Sequence, residues 1–144
     1  MIGAKVTALH FNGSIGLRGH AELTIQPEHT AAHESGGALP RVLSTPRLLQ
    51  LVEEATHRVA AEHLESGWVS VGFEVVLEHL APSEIGDTIT AEVLLEAAED
   101  RDLIFRFNVR DQGSLREVGR GQQTRKIVLM DDFMRKLKVE RALH

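Results

Sequence analysis

The hydrophobic pattern of this 144-residue chain changes from a helical period to a strand period near its middle. After residue 44, apolar residues recur at the spacing of one helix face, in the order Leu48, Val52, Ala55 and Val59. Ser44 or Thr45 can cap the start of this helix, and Pro46 suits its first turn. Gly67 ends the run. The pattern therefore predicts one helix of about 20 residues with a single apolar face to bury.

Four strand signals follow the helix, over residues 68–81, 88–97, 103–110 and 115–129. In the first of them, alternation predicts one inward face made of Val69, Val71, Phe73, Val75, Leu77 and His79. Short links between the runs predict that successive strands are antiparallel neighbours. Gly119 and Gly121 interrupt the last run, which predicts a bulge or a close backbone approach there.

The rest of the chain adds smaller elements. A strand is predicted from Ala21 to Ile25, followed by a loop up to Pro40 that either borders a binding site or only connects. A short C-terminal helix is expected at about residues 131–140. The prediction is one α+β domain over residues 1–144, with a core at about 15–130 and one long helix packed on a curled antiparallel sheet. This description fits the hotdog fold, and a sheet covered by a single helix commonly needs a second subunit, so we expect at least a homodimer.

Composition narrows the class of protein. The net charge of −5 argues against nucleic acid as the main partner, and the absence of cysteine excludes disulfides and thiolate chemistry. No stretch approaches the ~20 apolar residues that a membrane-spanning helix needs, and no signal peptide is evident. We therefore expect a cytoplasmic protein without a membrane partner, although a chain without cysteine also suits the periplasm.

Three polar residues are candidates for chemistry. Thr45 lies at the predicted helix start, where free N–H groups favour an oxyanion, and Glu53 lies two turns later at the margin of the apolar face. His79 ends the inward face of the first long strand. Each has a structural interpretation as a cap, an exposed acid or a hydrogen-bonded core histidine, and a catalytic one as an acid–base group. From the residues alone both interpretations remain open.

Other motifs give no stronger signal. His29 and His33 have i,i+4 spacing but lack a zinc-protease pattern, so no metal site is expected. Nucleophile-elbow, P-loop and dinucleotide motifs are also missing from the sequence.

Several segments resemble one known family. These are L-S-T-P-R-L-L-Q-L-V-E-E-A, S-V-G-F-E-V-V-L-E-H-L-A-P-S-E-I-G-D, R-D-L-I-F-R-F-N-V-R-D and E-V-G-R-G-Q-Q-T-R, within roughly residues 20–130. Together they resemble the fluoroacetyl-CoA thioesterase-like branch of the hotdog thioesterases. The most specific part of the resemblance is the joint spacing of Thr45, Glu53, Gly72 and His79.

The resemblance implies roles for these four residues in a pocket at a dimer interface. Glu53 would be the nucleophile or the general base for water. His79 would orient Glu53 or assist departure of the CoA thiolate, and Thr45 would hold the carboxylate or water. Gly72 would let the thioester approach the backbone, where a nearby N–H stabilises its oxygen.

The sequence departs from the family pattern in two places. The region between the first strand and the helix lacks the phenylalanines of the fluoroacetyl-CoA-specific member, and Gln123 replaces a histidine while Arg125 is kept. Arg120, Arg125 and Lys126 either meet CoA phosphates or are solvated strand charges.

The expected function is hydrolysis of a small or medium acyl-CoA thioester, by a homodimer or a dimer of dimers, without a cofactor other than the CoA of the substrate. The alternatives are a non-catalytic acyl-CoA-binding hotdog module and an enoyl-thioester hydratase of the same fold.

Overall fold

A computed structural model describes residues 7–143 of the chain; residues 1–6 and 144 of the predicted single domain lie outside the described part. The strands are β1 (Thr7–Ala8), β2 (Arg18–Thr24), β3 (Trp68–His79), β4 (Thr88–Asp100), β5 (Asp102–Asp111) and β6 (Glu117–Leu129). They form one sheet in the order β1-β4-β5-β6-β3, and β2 also pairs with β4. The helices are α1 (Ala31–Glu34), α2 (Thr45–Ala61) and α3 (Met130–Leu143), and a 3₁₀ turn spans Pro27–His29. The predicted α+β hotdog architecture is confirmed.

Helix α2 forms where the sequence predicts it. Ser44 is the N-cap, its hydroxyl accepting a hydrogen bond from the Arg47 backbone N–H at 3.1 Å, and Pro46 occupies the first turn. One face is buried, made of Leu48, Leu51, Val52, Ala55, Thr56, Val59 and Ala60. Because a helix of this length gains most of its stability from packing, burial of this face against the sheet fixes its position.

The predicted strands at residues 88–97 and 103–110 are confirmed as β4 and β5, and both alternate between buried and less buried positions. The buried residues on the helix side are Ile89, Ala91, Val93 and Leu95 of β4, and Leu103, Phe105, Phe107 and Val109 of β5. Together with the α2 face they form most of a continuous hydrophobic core. Each strand thus presents one apolar face to the helix and one polar face outward.

The alternation predicted for β3 is wrong in its first half. The register with β6 shifts between Gly72 and Glu74, so Phe73 is the extra residue of a β-bulge. Phe73 is 66% exposed, whereas Ser70 is buried. Beyond the bulge, Val75 and Leu77 pack against the core as expected. A bulge reverses the parity of a strand, and a simple period of two cannot reveal it.

The neighbour predicted for β3 is also wrong. β3 pairs with β6 and not with β4, while β4 with β5 and β5 with β6 are antiparallel neighbours as predicted. The link from β3 to β4 is long enough to cross the end of a curled sheet. Gly121 lies where β6 approaches β3 closely, because a Cβ atom there would sit 1.8 Å from the Val76 carbonyl oxygen. The predicted close approach at this glycine is therefore confirmed.

The outer elements leave two features uncovered. β3 is an edge strand of the sheet, with Phe73 and Val76 exposed along it. Helix α3 buries none of its residues and begins where β6 ends. Within residues 7–143, none of the helices combines the length and hydropathy required to cross a membrane.

Candidate active site

The first part of the site is a hydrogen-bonded pair between the start of α2 and the end of β3. The Thr45 hydroxyl lies 2.8 Å from Nδ1 of His79. Thr45 is the first residue of the helix, and the parity restored beyond the bulge turns His79 to the helix side of the sheet. The two side chains, 34 positions apart in sequence, therefore meet because of the fold.

The surroundings of His79 favour the neutral form of its imidazole ring. Burial lowers its pKa below the ordinary value of 6.5, and interaction with the backbone of Ala81 offsets part of this shift. Nε2 is buried and has no hydrogen-bond partner among the described residues. A depression of about 230 Å³ borders the ring, lined by Val42, His79, Leu80, Ala81 and Pro82. The imidazole thus has one nitrogen fixed by Thr45 and one available for a proton transfer.

The second part of the site surrounds Glu53. Its Oε1 accepts a hydrogen bond from Nε2 of Gln123 at 2.6 Å, and its Oε2 accepts one from Arg125 at 2.8 Å. The Glu53 side chain is 37% exposed, whereas that of Arg125 is only 6% exposed. The carboxylate is therefore held from its buried side and open on the other.

Arg125 and Gln123 are themselves fixed by buried partners. Arg125 donates to the Ser70 hydroxyl at 2.7 Å and to the Ser70 carbonyl at 2.9 Å. The Thr56 hydroxyl lies 2.6 Å from Oε1 of Gln123 and 3.3 Å from Arg125. Hydrogen bonds to charged groups are short and directional, so these contacts fix the position of the Glu53 carboxylate.

Gly72 makes room for Glu53. A Cβ atom at this position would lie 2.7 Å from Oε1 of Glu53 and 3.3 Å from Nε2 of Gln123. Any side chain here would displace the carboxylate. The structure thus gives Gly72 a steric reason to be glycine, in addition to the thioester approach that the resemblance implies.

The four predicted site residues form two clusters within one chain. The Thr45–His79 pair and the Glu53–Gly72 cluster are separated by eight residues of α2, a rise of about 12 Å. Within residues 7–143, no hydrogen bond joins Glu53 to His79, since each has other partners. Both clusters face the same side of the sheet.

Three residues have roles that the sequence did not reveal. For Arg125 the sequence left open a contact to CoA phosphates and a solvated strand charge; the structure instead buries the guanidinium against Glu53 and Ser70. Thr56 and Ser70 were not singled out at all. Their positions in the sequence could have indicated these roles. Thr56 lies one helical turn after Glu53, and Gln123 and Arg125 are two residues apart on the inward face of β6.

The two other basic candidates lie outside this cluster. Arg120 pairs with Glu78 and Glu117. Lys126 pairs with Asp102 and lies 4.6 Å above the Phe73 ring. Among residues 7–143, no group of three histidine or acidic side chains is arranged to hold a metal ion. The site contains a positioned carboxylate and a neutral imidazole, two groups that can carry out acid–base or nucleophilic catalysis.

Comparison with known proteins defines the class as the hotdog thioesterases. The curated fluoroacetyl-CoA thioesterase of Streptantibioticus cattleyicolor is 29% identical over 129 residues, which cover 86% of this chain and 91% of that protein. A solved structure of the fluoroacetyl-CoA thioesterase FlK superposes with a TM-score of 0.80 at 27% identity, covering 86% of this chain and 94% of that one. A FlK variant solved in complex with acetyl-CoA gives a TM-score of 0.80 at 26% identity and covers 88% and 97%.

A sequence model of one family, described as fluoroacetyl-CoA-specific thioesterase, matches residues 25–131. This match covers most of the chain, including all four predicted site residues. The chain belongs to the fluoroacetyl-CoA-specific thioesterase family.

Proposed function

We propose that this protein is an acyl-CoA thioesterase that hydrolyses a small or medium acyl-CoA thioester, with Thr45, Glu53 and His79 as its catalytic residues. The relatives of this chain are thioesterases, and one was solved with acetyl-CoA bound. The observation that carries the proposal is the placement of a clamped carboxylate and a neutral imidazole on one face of the sheet. Neither group needs a cofactor, because water is the second substrate.

The reaction requires water to add to the thioester carbonyl and the C–S bond to break. Glu53 can take a proton from the attacking water, or attack the carbonyl itself and form an anhydride that water then opens. In both routes the CoA thiolate leaves and takes up a proton, and the free carboxylic acid forms. His79 is suited to assist the thiolate, since Nε2 is not committed to another residue of the described chain.

The proposed enzyme is a homodimer joined along β3. Within residues 7–143, β3 pairs with β6 on one side and has no neighbouring strand on the other. Phe73, Val76 and Leu80 are 66%, 62% and 44% exposed along it and just beyond it. Long edges with apolar residues are rarely left uncovered. Antiparallel pairing of two β3 strands about their centre would bring the start of one strand beside the end of the other.

The acyl group is proposed to be small or medium, without selectivity for fluoroacetate. The segment between β2 and α2 contains no phenylalanine, and the depression beside His79 is lined largely by aliphatic residues. A cytoplasmic location and an assembly of two dimers stay predictions.

A thiol-release assay over acyl-CoA thioesters of increasing chain length tests the proposal. Wild-type protein is expected to release CoA most rapidly from one range of acyl groups. Glu53→Ala and His79→Ala are expected to lower kcat by about a thousandfold, equivalent to about 4 kcal/mol of transition-state stabilisation. His57→Ala, which alters an exposed histidine of α2 with no assigned role, is the matched control and should retain activity.

Two results would overturn the proposal. Binding of acyl-CoA without thiol release at any chain length would support a non-catalytic binding module. Addition of water to crotonyl-CoA without thiol release would support a hydratase. The mass of the protein in solution, measured by light scattering, tests the dimer independently of activity.

A further inference from the structure

A closed ring of hydrogen bonds connects the carboxylate of Glu53 to the guanidinium of Arg125. One side of the ring is the direct contact from Arg125 to Oε2 of Glu53 at 2.8 Å. The other side passes from Arg125 to the Thr56 hydroxyl at 3.3 Å, then to Oε1 of Gln123 at 2.6 Å. Nε2 of Gln123 closes the ring on Oε1 of Glu53 at 2.6 Å. Thr56, Gln123 and Arg125 are 0%, 1% and 5% exposed.

The direction of every hydrogen bond in this ring is determined by chemistry. Arg125 can only donate and an ionised Glu53 can only accept. The Thr56 hydroxyl has one proton and accepts from Arg125, so that proton goes to Gln123 at 2.6 Å and not to the Glu53 carbonyl at 3.3 Å. With its oxygen engaged by Thr56, the Gln123 amide must turn its NH₂ group toward Glu53.

We infer that Thr56 is a positioning residue of the active site, which acts through Gln123 to hold the Glu53 carboxylate in its reactive place. The inference rests on the proposed function, because it assumes that Glu53 takes part in the reaction. Neither Thr56 nor Gln123 carries a titratable group, so this arm of the clamp acts through hydrogen bonds between neutral side chains and the Glu53 carboxylate. In a site where a misplacement of 1 Å costs about a hundredfold in rate, a rigid clamp of this kind contributes to kcat.

Two substitutions of Thr56 separate positioning from packing. Thr56→Val keeps the shape but removes the hydroxyl, leaving Oε1 of Gln123 buried without a partner and the amide free to rotate. Thr56→Ser keeps the hydroxyl but removes a buried methyl group. If Thr56 served only packing, the serine variant would be the more impaired; if it positions Gln123, the valine variant is.

The expected kinetic result is a loss of kcat in Thr56→Val of about tenfold to a hundredfold, with KM changed by less than about threefold. Thr56→Ser should keep kcat within about threefold of wild type. The melting temperature of each variant accompanies the assay to confirm folding. Wild-type kcat in Thr56→Val, or an equal loss of kcat in the two variants, would overturn the inference.

A second readout does not depend on activity. In ¹⁵N-labelled wild-type protein, the side-chain NH₂ of Gln123 should give a shifted signal that is protected from solvent exchange, identified by its loss in Gln123→Met. We expect Thr56→Ser to keep this signal and Thr56→Val to abolish the shift. A protein without thiol release but with this pattern would refute the proposed function while still showing that Thr56 holds the Gln123 amide. An unchanged signal in Thr56→Val would refute the inferred action of Thr56 on Gln123.

Discussion

The two halves of the candidate site differ in how firmly their reactive groups are held. The His79 ring has one hydrogen bond, to an exposed threonine at the start of α2, and its other nitrogen is uncommitted within the described chain. The Glu53 carboxylate accepts a hydrogen bond on each oxygen, from donors that are almost fully buried and fixed in turn by Thr56 and Ser70.

This difference suits two kinds of work. A group that exchanges protons during a reaction needs a free site and a pKa near the working pH. A group that must reach a carbonyl carbon in a fixed geometry needs to be preorganised. Its hydrogen bonds are formed before the substrate binds, so no free energy of reorganisation is added to the barrier of the reaction. The proposed division is therefore a fixed carboxylate and an adaptable imidazole.

Among the substitutions that leave Glu53 and His79 in place, the largest expected effect in this comparison comes from breaking the fixed half at Gly72. In Gly72→Ala, the new methyl group would lie 2.7 Å from Oε1 of Glu53 and force the carboxylate to move. We expect kcat to fall by about a hundredfold, as for a displacement of about 1 Å in other enzymes. The measurement is thiol release by the purified variant, alongside its thermal unfolding.

Gly113→Ala is the matched control for that substitution. Gly113 lies in the turn between β5 and β6, far from Glu53 along the chain, and should tolerate the methyl group with unchanged kcat. Full activity in Gly72→Ala would show that the observed place of Glu53 is not required for turnover.

A smaller effect is expected from breaking the adaptable half at Thr45. Thr45→Val removes the hydroxyl that holds Nδ1 of His79, a hydrogen bond with a net value of about 1 kcal/mol, so kcat should fall by somewhat less than tenfold. Thr45→Ser retains the hydroxyl and should restore the rate. Equal kinetics of the two variants would contradict the role given to this contact.

The smallest effect is a dependence of stability on pH through His79. Burial lowers the pKa of His79 in the folded state, so the unfolded chain binds more protons once the pH falls below about 6.5. The free energy of unfolding should therefore decrease as the pH falls from about 6.5 through the lowered pKa of His79 in the folded protein. Above about pH 6.5, His79 should make no difference to it.

Urea titrations followed by the fluorescence of Trp68, the single tryptophan, measure this dependence. His79→Asn cannot titrate and should lose the part of the pH dependence that His79 supplies. An identical pH dependence in the two proteins would contradict the burial effect.

Much of the fold could be predicted from local patterns. The apolar face of α2, its capping by Ser44 and the alternation in β4 and β5 all depend on neighbours within a few residues. The inward face of β3 could not be predicted in this way. The bulge at Phe73 is defined by the pairing of β3 with β6, and the alternation of apolar residues in β3 does not reveal it.

The sequence by itself determined the α+β class, the single long helix and, through a family resemblance, the four candidate residues Thr45, Glu53, Gly72 and His79. Only the tertiary structure decided which side chains meet. It joined His79 to Thr45, clamped Glu53 with Gln123 and Arg125, and drew Thr56 into the same ring. The physical reason is the distance in sequence over which each kind of information acts. Periodicity indicates which face of an element a residue lies on. Hydrogen bonds between residues about 70 positions apart depend on strand pairing and helix packing.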